Sequence, residues 1–528
     1  MLIGYVSDER YVALVDVALE FVDSHGESWE ARSRATGAVY LDAPPGNYTV
    51  TLQRPGYGAK RSHVTLPTIR PHQFRLLSDG LSGYVWPKWV RGGEPGEFRV
   101  HSVEQYHLEL WRYGWKPELV RSLGWYDEHG PRATMQVTPD GDYTQTGVEW
   151  NRVGYTSPTH KQFLAAPDQS GLYYFRARTP SGLQFSFPWI VAPIRPKAPL
   201  AVLGSNITWN AYNSFGGRSN YIHADEFPPT PTVNSRYDLK RYRDAEFMTW
   251  NCETYAPLSF DRPEPFNHIE FETQITDPIQ GRQACHLAPA EWRLLGWLEH
   301  QSLPYDFYAE TQLDDGTLDL SSYRALVLSV HPEYWTRRMY DRVKQWVFEE
   351  GGRLLYLGGN GLNCEVEICG SSMWVHNGQI TGLDVAGVGA ESRMALRQES
   401  EASLVGVVFT PPGAMTGAPY RVVDSSHWTF NGTGLQNGDL FGLKSLHMRC
   451  PGGASGHETD KISPSSPANT RLLAQGLNPD EGGAHMVHFE TPNGGGVFSV
   501  GSISWVSSLP VDEYVSQITE NAIRRFLE

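Results

Sequence analysis

The run Val327-Leu328-Ser329-Val330-His331-Pro332-Glu333-Tyr334-Trp335 constrains the fold more than any other part of the chain. An apolar, partly β-branched stretch from Ala325 to Val330 stops at a histidine and a carboxylate two residues apart. One helix-length later a second apolar run, Arg353 to Leu357, opens into Gly358-Gly359-Asn360-Gly361. The pattern predicts a β–α–β unit with polar groups at the carboxyl ends of both strands. In open parallel sheets ligands bind at that edge, so the chain is expected to be an enzyme.

Length and charge narrow the setting. At 528 residues the chain exceeds one compact core, which predicts roughly two to four domains. Lys and Arg number 44 against 59 Asp and Glu, a net charge of −15. No phosphate-neutralising surface is implied, which argues against a nucleic-acid partner. Cys252, Cys285, Cys364, Cys369 and Cys450 are odd in number and contain no CxxC, so neither a disulfide framework nor a structural zinc site is expected. The sequence shows no basic segment leading into a signal-like apolar core and no apolar run of about 18 residues. The expectation is no membrane span and a reducing, cytoplasmic location.

Residues 1–78 read as a small all-β unit. Alternating runs such as Val12 to Val22 and Tyr48 to Leu52 are broken by Gly, Pro and Asp turns. The segment Ala43-Pro-Pro-Gly-Asn-Tyr-Thr-Val-Thr-Leu-Gln resembles a hairpin of carboxypeptidase-regulatory-like β-sandwiches. Residues 79–195 are again β-rich, and Ser170-Gly-Leu-Tyr-Tyr-Phe-Arg-Ala resembles late strands of an immunoglobulin-like sandwich lacking the cysteine pair. Three prolines between Pro193 and Pro199 mark a linker. From residue 196 to 528 the pattern changes. Strands are predicted at Leu200–Gly204, Ser302–Tyr308, Ala325–Val330, Arg353–Leu357 and Gly495–Val500, and helices at Pro289–His300, Arg337–Glu350 and Asp512–Leu527. Alternation of this kind implies a parallel sheet with right-handed crossovers. Residues 378–494 are Gly-rich and give no clear pattern.

Four polar clusters fall in this third region. Asn206-Ile-Thr-Trp-Asn-Ala-Tyr-Asn213 follows the first strand, His331-Pro-Glu333 the central one, and Gly359-Asn360 the next. The fourth, Gly456-His-Glu-Thr-Asp-Lys461, concentrates ionisable groups in a Gly-rich loop. Each has a structural alternative. His331 bonds across a loop, Glu333 caps the following helix, Asn360 occupies a left-handed turn, and Glu458 is solvated surface. Familiar nucleophile and nucleotide motifs are absent: there is no GxSxG elbow, no GxGxxG after the first strand, no phosphate-loop lysine and no HExxH.

The ordered set Asn206 to Tyr221, Ser259-Phe-Asp-Arg-Pro263, His331-Pro-Glu-Tyr-Trp-Thr336 and Gly358-Gly-Asn360 resembles the C-terminal domain of the N,N-dimethylformamidase large (beta) subunit family. Over roughly residues 198–528 the resemblance implies a class I glutamine-amidotransferase-like α/β domain without the cysteine nucleophile; the N-terminal part, read above as two β-sandwiches, departs more from the family. The resemblance also implies hydrolysis of a small amide, of N-substituted formamide type, at a mononuclear Fe(III) site. Glu333 carries over as a metal ligand, with Tyr212 as the first tyrosine and Tyr255 as the second, Tyr221 in reserve. His331, Asn360 and Glu458 carry over as catalytic groups. A homo-oligomer acting on a small-molecule amide is implied; nothing in the sequence requires a separate small subunit, which stays an open alternative.

The donor types suit the chemistry. Phenolate and carboxylate oxygens are hard anionic ligands that favour a hard cation over soft ones. Three protein ligands leave positions for water and substrate. A dialkylamine leaves poorly unless protonated, so an acid such as Glu458 is needed. Rival readings are zinc in the same cage, a non-catalytic scaffold or binding protein, and a cysteine-dependent relative using Cys364.

Overall fold

The structure, a computed structural model, describes residues 1–127, 135–150, 162–233, 255–269, 286–376 and 391–528. Cys252 and Cys285 lie outside the described residues, as do residues 377–390 of the unassigned stretch. The chain is β-rich, and its sheets enclose several separate cores.

Near the N-terminus, Leu2–Ser7 joins Ala38–Tyr40 and His72–Arg75 in one sheet. A second sheet orders Ser28–Arg32, Ala18–Val22, Gly46–Arg54 and Gly58–Leu66. Alternation turns Tyr48, Val50 and Leu52 inward, where they meet Ile3, Val6, Phe21 and Phe74. The run from Val12 to Val22 is a strand only over Ala18–Val22. Asp16, with φ of 62°, interrupts the extended backbone before it. Residues 81–192 build a three-stranded and a five-stranded sheet around Phe98, Leu108, Phe175 and Trp189.

The third region is organised by a nine-stranded sheet. Its elements, in chain order, are β1 (Leu200–Gly204), α1 (Asn206–Tyr212), α2 (Ala288–His300), β2 (Asp306–Ala309), β3 (Ala325–Val330), α3 (Arg337–Phe348), β4 (Arg353–Gly358), β5 (Tyr420–Val422), β6 (Leu440–Phe441), β7 (Arg471–Gly476), β8 (His485–Glu490), β9 (Gly496–Ser499), α4 (Trp505–Ser508) and α5 (Glu513–Leu527). The order across the sheet is β2-β1-β3-β4-β9-β8-β7-β5-β6. The first five are parallel; the remaining pairs are antiparallel. The expected parallel sheet is therefore half of a mixed one, and the stretch that showed no pattern supplies the antiparallel half.

β1 and β3 are buried along their whole length, as expected of strands covered on both faces. Each fully buried Leu or Val there contributes about 1.5–3 kcal/mol. α3 starts at Thr336, whose side chain accepts from Met339 N, so Thr336 rather than Glu333 caps this helix. Its buried Met339, Tyr340, Val343, Trp346 and Val347 follow helical spacing. α2, α4 and α5 pack together beside β3 and β4, joined by Trp297 Nε1 donating to Ser516 Oγ at 2.8 Å. These layers leave the carboxyl ends of β1, β3 and β4 as one polar edge.

Candidate functional site

The first side of the edge is α1 and the loop behind it. All seven residues of α1 are buried. Glu310 Oε2 accepts from Ile207 N at 3.3 Å and Asn206 Nδ2 donates to Thr311 Oγ1 at 3.1 Å, which anchors the helix start. The far end is clamped by the buried guanidinium of Arg262, which donates to the carbonyls of Asn213 at 3.0 Å and Phe215 at 2.7 Å. Asn213 Nδ2 returns a bond to Pro263 O at 2.8 Å. Asp261 in turn accepts from Arg99 Nη1 of the second β unit at 2.6 Å. The motifs Asn206–Tyr221 and Ser259–Pro263 thus form one mechanical unit, and its product is the placement of two tyrosines.

The second side is the end of β3. Val330 has φ of 56°, a left-handed backbone that a β-branched residue adopts at a cost. The turn carries His331-Pro332-Glu333 across the sheet edge, where Glu333 N donates to Thr208 Oγ1 at 3.0 Å. Glu333 Oε2 accepts from Tyr212 Oη at 3.1 Å and from Tyr221 Oη at 3.0 Å. Tyr221 Oη is 2.7 Å from Tyr334 Oη, and Asn220 Nδ2 donates to Tyr334 Oη at 2.6 Å. A file of polar groups, Asn220, Tyr334 and Tyr221, therefore backs the Glu333 carboxylate. Burial pushes Glu333 above the ordinary carboxylate range. Burial, and then the Glu333 charge, push the Tyr221 phenol well above its usual value.

Tyr255 is buried, and Arg393 lies in electrostatic range of both it and Glu333. The structure thus seats Tyr212 and Tyr221 on Glu333 and places Tyr255 beside Arg393.

The third side is β4 with the loop containing Glu458. Asn360 adopts φ of 46°, so the turn expected there exists, yet its side chain is also engaged. Asn360 Nδ2 donates to Glu458 Oε2 at 2.9 Å, and its Oδ1 accepts from Asn363 Nδ2 at 2.6 Å. Glu458 has a side chain only 15% exposed, so it is not solvated surface. Asp460 accepts from Asn360 N at 2.8 Å and from Tyr356 Oη at 2.7 Å. Gly359 permits the approach: a Cβ there would stand 2.6 Å from Glu458 O and 2.8 Å from Ile503 N.

His331 joins the sides. It is fully buried, and its Nε2 stands 3.3 Å from both Glu333 Oε2 and Glu458 Oε2. Those are ion-pair distances; among the described residues Nε2 makes no hydrogen bond of normal geometry. Burial alone would depress the imidazole, but Glu333 and then Glu458 outweigh it and hold His331 above its usual value. Its Nδ1 meets His286 Nδ1 at 2.9 Å. His286 carries no local pattern that singles it out in the sequence; Tyr334 lies within the His331–Thr336 motif, where the sequence reading gave it no role.

Cys364 is buried, and burial pushes its thiol upward, opposite to what a thiolate nucleophile needs. Among the described residues no three His, Cys, Asp or Glu side chains are arranged to hold a metal. The donor set at Glu333 is instead one carboxylate with phenol oxygens. Phenol and carboxylate oxygens packed together in a buried place fit a hard cation, which would reverse the upward shifts that burial imposes on Glu333 and Tyr221. Among the described residues no helix is long and apolar enough to cross a membrane.

Fold and cluster together define a β-rich, multidomain protein with a buried histidine–carboxylate–tyrosine centre at a sheet edge. The model of the family described as N,N-dimethylformamidase beta subunit-like, C-terminal, matches residues 107–520, and the chain belongs to that family. It is 24% identical over 472 residues to the N,N-dimethylformamidase beta subunit of Alcaligenes sp, covering 72% of this chain and 58% of that protein. It is 25% identical over 486 residues to the N,N-dimethylformamidase beta subunit of Paracoccus aminophilus, covering 74% and 60%. The chain thus spans 58–60% of the length of these relatives. Among solved structures, a beta-galactosidase from Bacillus circulans sp. alkalophilus aligns with 46% of this chain and 30% of its own, at 14% identity and a TM-score of 0.27, too slight to bear on fold or function.

Proposed function

We propose that this chain hydrolyses the C–N bond of a small amide, of the N-substituted formamide class named by its relatives, at a mononuclear Fe(III) centre. The observation that carries the reading is His331 Nε2 set between Glu333 and Glu458 while Tyr212 and Tyr221 converge on Glu333. Glu333 and Tyr212 would hold the ion, with Tyr255 or Tyr221 as the second phenolate. The five parallel strands with polar groups at their carboxyl ends support the amidotransferase-like reading of the sheet. The proposed division is at residues 78 and 195; Leu172, Tyr174, Ile190 and Ala192 pack into the core of the third region, so the second and third units share an apolar contact. The relatives' name, beta subunit, supports association with further copies or a second polypeptide.

A ferric ion held there supplies Lewis acidity toward water and the amide carbonyl. The rest falls to the chain. In this reading His331 and Asn360 would offer N–H donors to the carbonyl oxygen as negative charge develops on it, commonly the largest single source of stabilisation in such reactions. Glu458 touches both of them, so it can take a proton from the attacking water and return it to the departing amine nitrogen. Tyr212 and His286 are buried beside His331, and low exposure strengthens electrostatic interactions of this kind.

The test is elemental analysis and a visible spectrum of the purified protein, with an assay for amine and formate release from N,N-dimethylformamide. About one iron per chain, a broad tyrosinate-to-iron band and amine release support the reading. Zinc without colour removes the ferric part, and metal-free protein without turnover removes the hydrolase.

A further inference from the structure

On the side of His331 opposite the two carboxylates lies a second buried imidazole. His286 and His331 are 1% and 0% exposed, and their Nδ1 atoms are 2.9 Å apart. Two nitrogen lone pairs cannot face each other at that distance, so one N–H lies between them. When neutral His331 turns its Nε2–H toward Glu333 and Glu458, its Nδ1 must accept, and His286 Nδ1–H is the donor.

The His286 ring is itself held. It stands edge-on to Tyr212, with centroids 4.6 Å apart at 86°, and edge-on to His457, at 5.1 Å and 67°. His457 is braced in turn, its Nδ1 lying 3.0 Å from His447 Nε2, while His447 Nδ1 accepts from Cys450 N at 3.0 Å. Because His447 Nδ1 is an acceptor, its Nε2 carries the proton in the neutral ring and donates to His457. The file from backbone amide to His331 therefore has a defined direction at its outer end and ring packing in its middle.

We propose that His286 is a positioning residue for amide hydrolysis: by occupying Nδ1 of His331 it fixes that imidazole with Nε2 between Glu333 and Glu458. The inference rests on the hydrolase reading above for its kinetic consequence, but not for its structural one. His286 bonds to His331 Nδ1, so it acts through His331, as partners of site histidines generally do.

The experiment compares wild type with His286→Ala and His286→Gln by two readouts. The first is turnover of N,N-dimethylformamide, with and without added imidazole; the second is the orientation of His331 in crystal structures. The expectation for His286→Ala is a fall in kcat of about 10–100-fold with KM little changed, partial recovery by imidazole or by the Gln variant, and a His331 ring turned away from the carboxylates. A His331 ring that keeps its place in His286→Ala, or a kcat loss that neither imidazole nor Gln recovers, overturns the proposal. Wild type that releases no amine sinks the hydrolase reading instead, and the crystal comparison then decides the role of His286 alone. Should the Ala variant fail to fold, Gln against Asn at this position carries the same comparison.

Discussion

Asn360 and Glu458, 98 positions apart in the chain, are joined by a 2.9 Å bond from Nδ2 to Oε2. The bond ties the end of β4 to the loop that delivers Glu458, and it uses a residue already bent into a left-handed turn. Asn360→Gly keeps that turn but removes the donor. The expected result is a folded protein with a kcat lowered by about 10²–10³-fold. Near-wild-type turnover in a folded Asn360→Gly variant would remove Asn360 from the site.

Glu333 and His331 should separate metal binding from turnover. Glu333→Ala removes the carboxylate on which both tyrosines converge, so iron and activity are expected to disappear together. His331→Ala leaves those oxygens in place and should retain most iron while losing turnover. Metal analysis of both variants checks this, and full iron in Glu333→Ala would contradict the proposed donor set.

The second tyrosine is open to direct assignment. Tyr221 sits on Glu333 with Tyr334 behind it, and Tyr255 lies in the field of Arg393. Tyr221→Phe and Tyr255→Phe each delete one phenol oxygen. The ligand's variant should lose or shift the visible tyrosinate band and bind iron more weakly. The other should keep the band and differ only in rate.

Much of this site was legible because its residues end strongly apolar strands. Ala325–Val330 and Arg353–Gly358 have no competing reading as helices, so His331, Glu333 and Asn360 fall at strand ends once the strands are recognised. What could not be read has specific causes. Tyr420–Val422 is three residues long with Arg421 exposed, and His485–Glu490 mixes polar and apolar positions; neither offers a period to count. Val330 looks like an ordinary strand residue, and its positive φ comes from tertiary packing. His286 is a lone histidine before a helix, and only the fold sets it against His331, 45 positions on. The pairing of Ser259–Pro263 with α1 is likewise a long-range fact, carried by Arg262.

Gly359 tests the close packing of β4 against the Glu458 loop. A methyl group there meets Glu458 O at 2.6 Å and Ile503 N at 2.8 Å, both backbone atoms. Gly359→Ala must shift one of these segments, and overpacking of this kind costs about 1–3 kcal/mol. A lowered unfolding midpoint together with weakened turnover is expected. An unchanged melting curve would show that the loop has room the packing does not display.

Stability should also fall as pH rises through neutrality, and Glu401 is the group to change. Burial pushes Glu401 up to about 8 from an ordinary 4.5, and the Glu291 and Asp460 carboxyls are pushed by burial up to about 7. Between the unfolded and folded values the native state binds more protons than the unfolded chain, so the slope of stability with pH is negative. The contribution is whole below about pH 4.5 and, for Glu401, is lost as pH climbs toward 8. Glu401→Gln keeps an acceptor for Ser392 Oγ and removes the titration. Urea unfolding from pH 6 to 9 should therefore give a shallower decline for Glu401→Gln than for wild type, with the variant relatively more stable at the alkaline end. Glu401 is not among the proposed ligands, so iron content should be unchanged, and parallel curves for the two proteins would mean that Glu401 is not held protonated in the folded state.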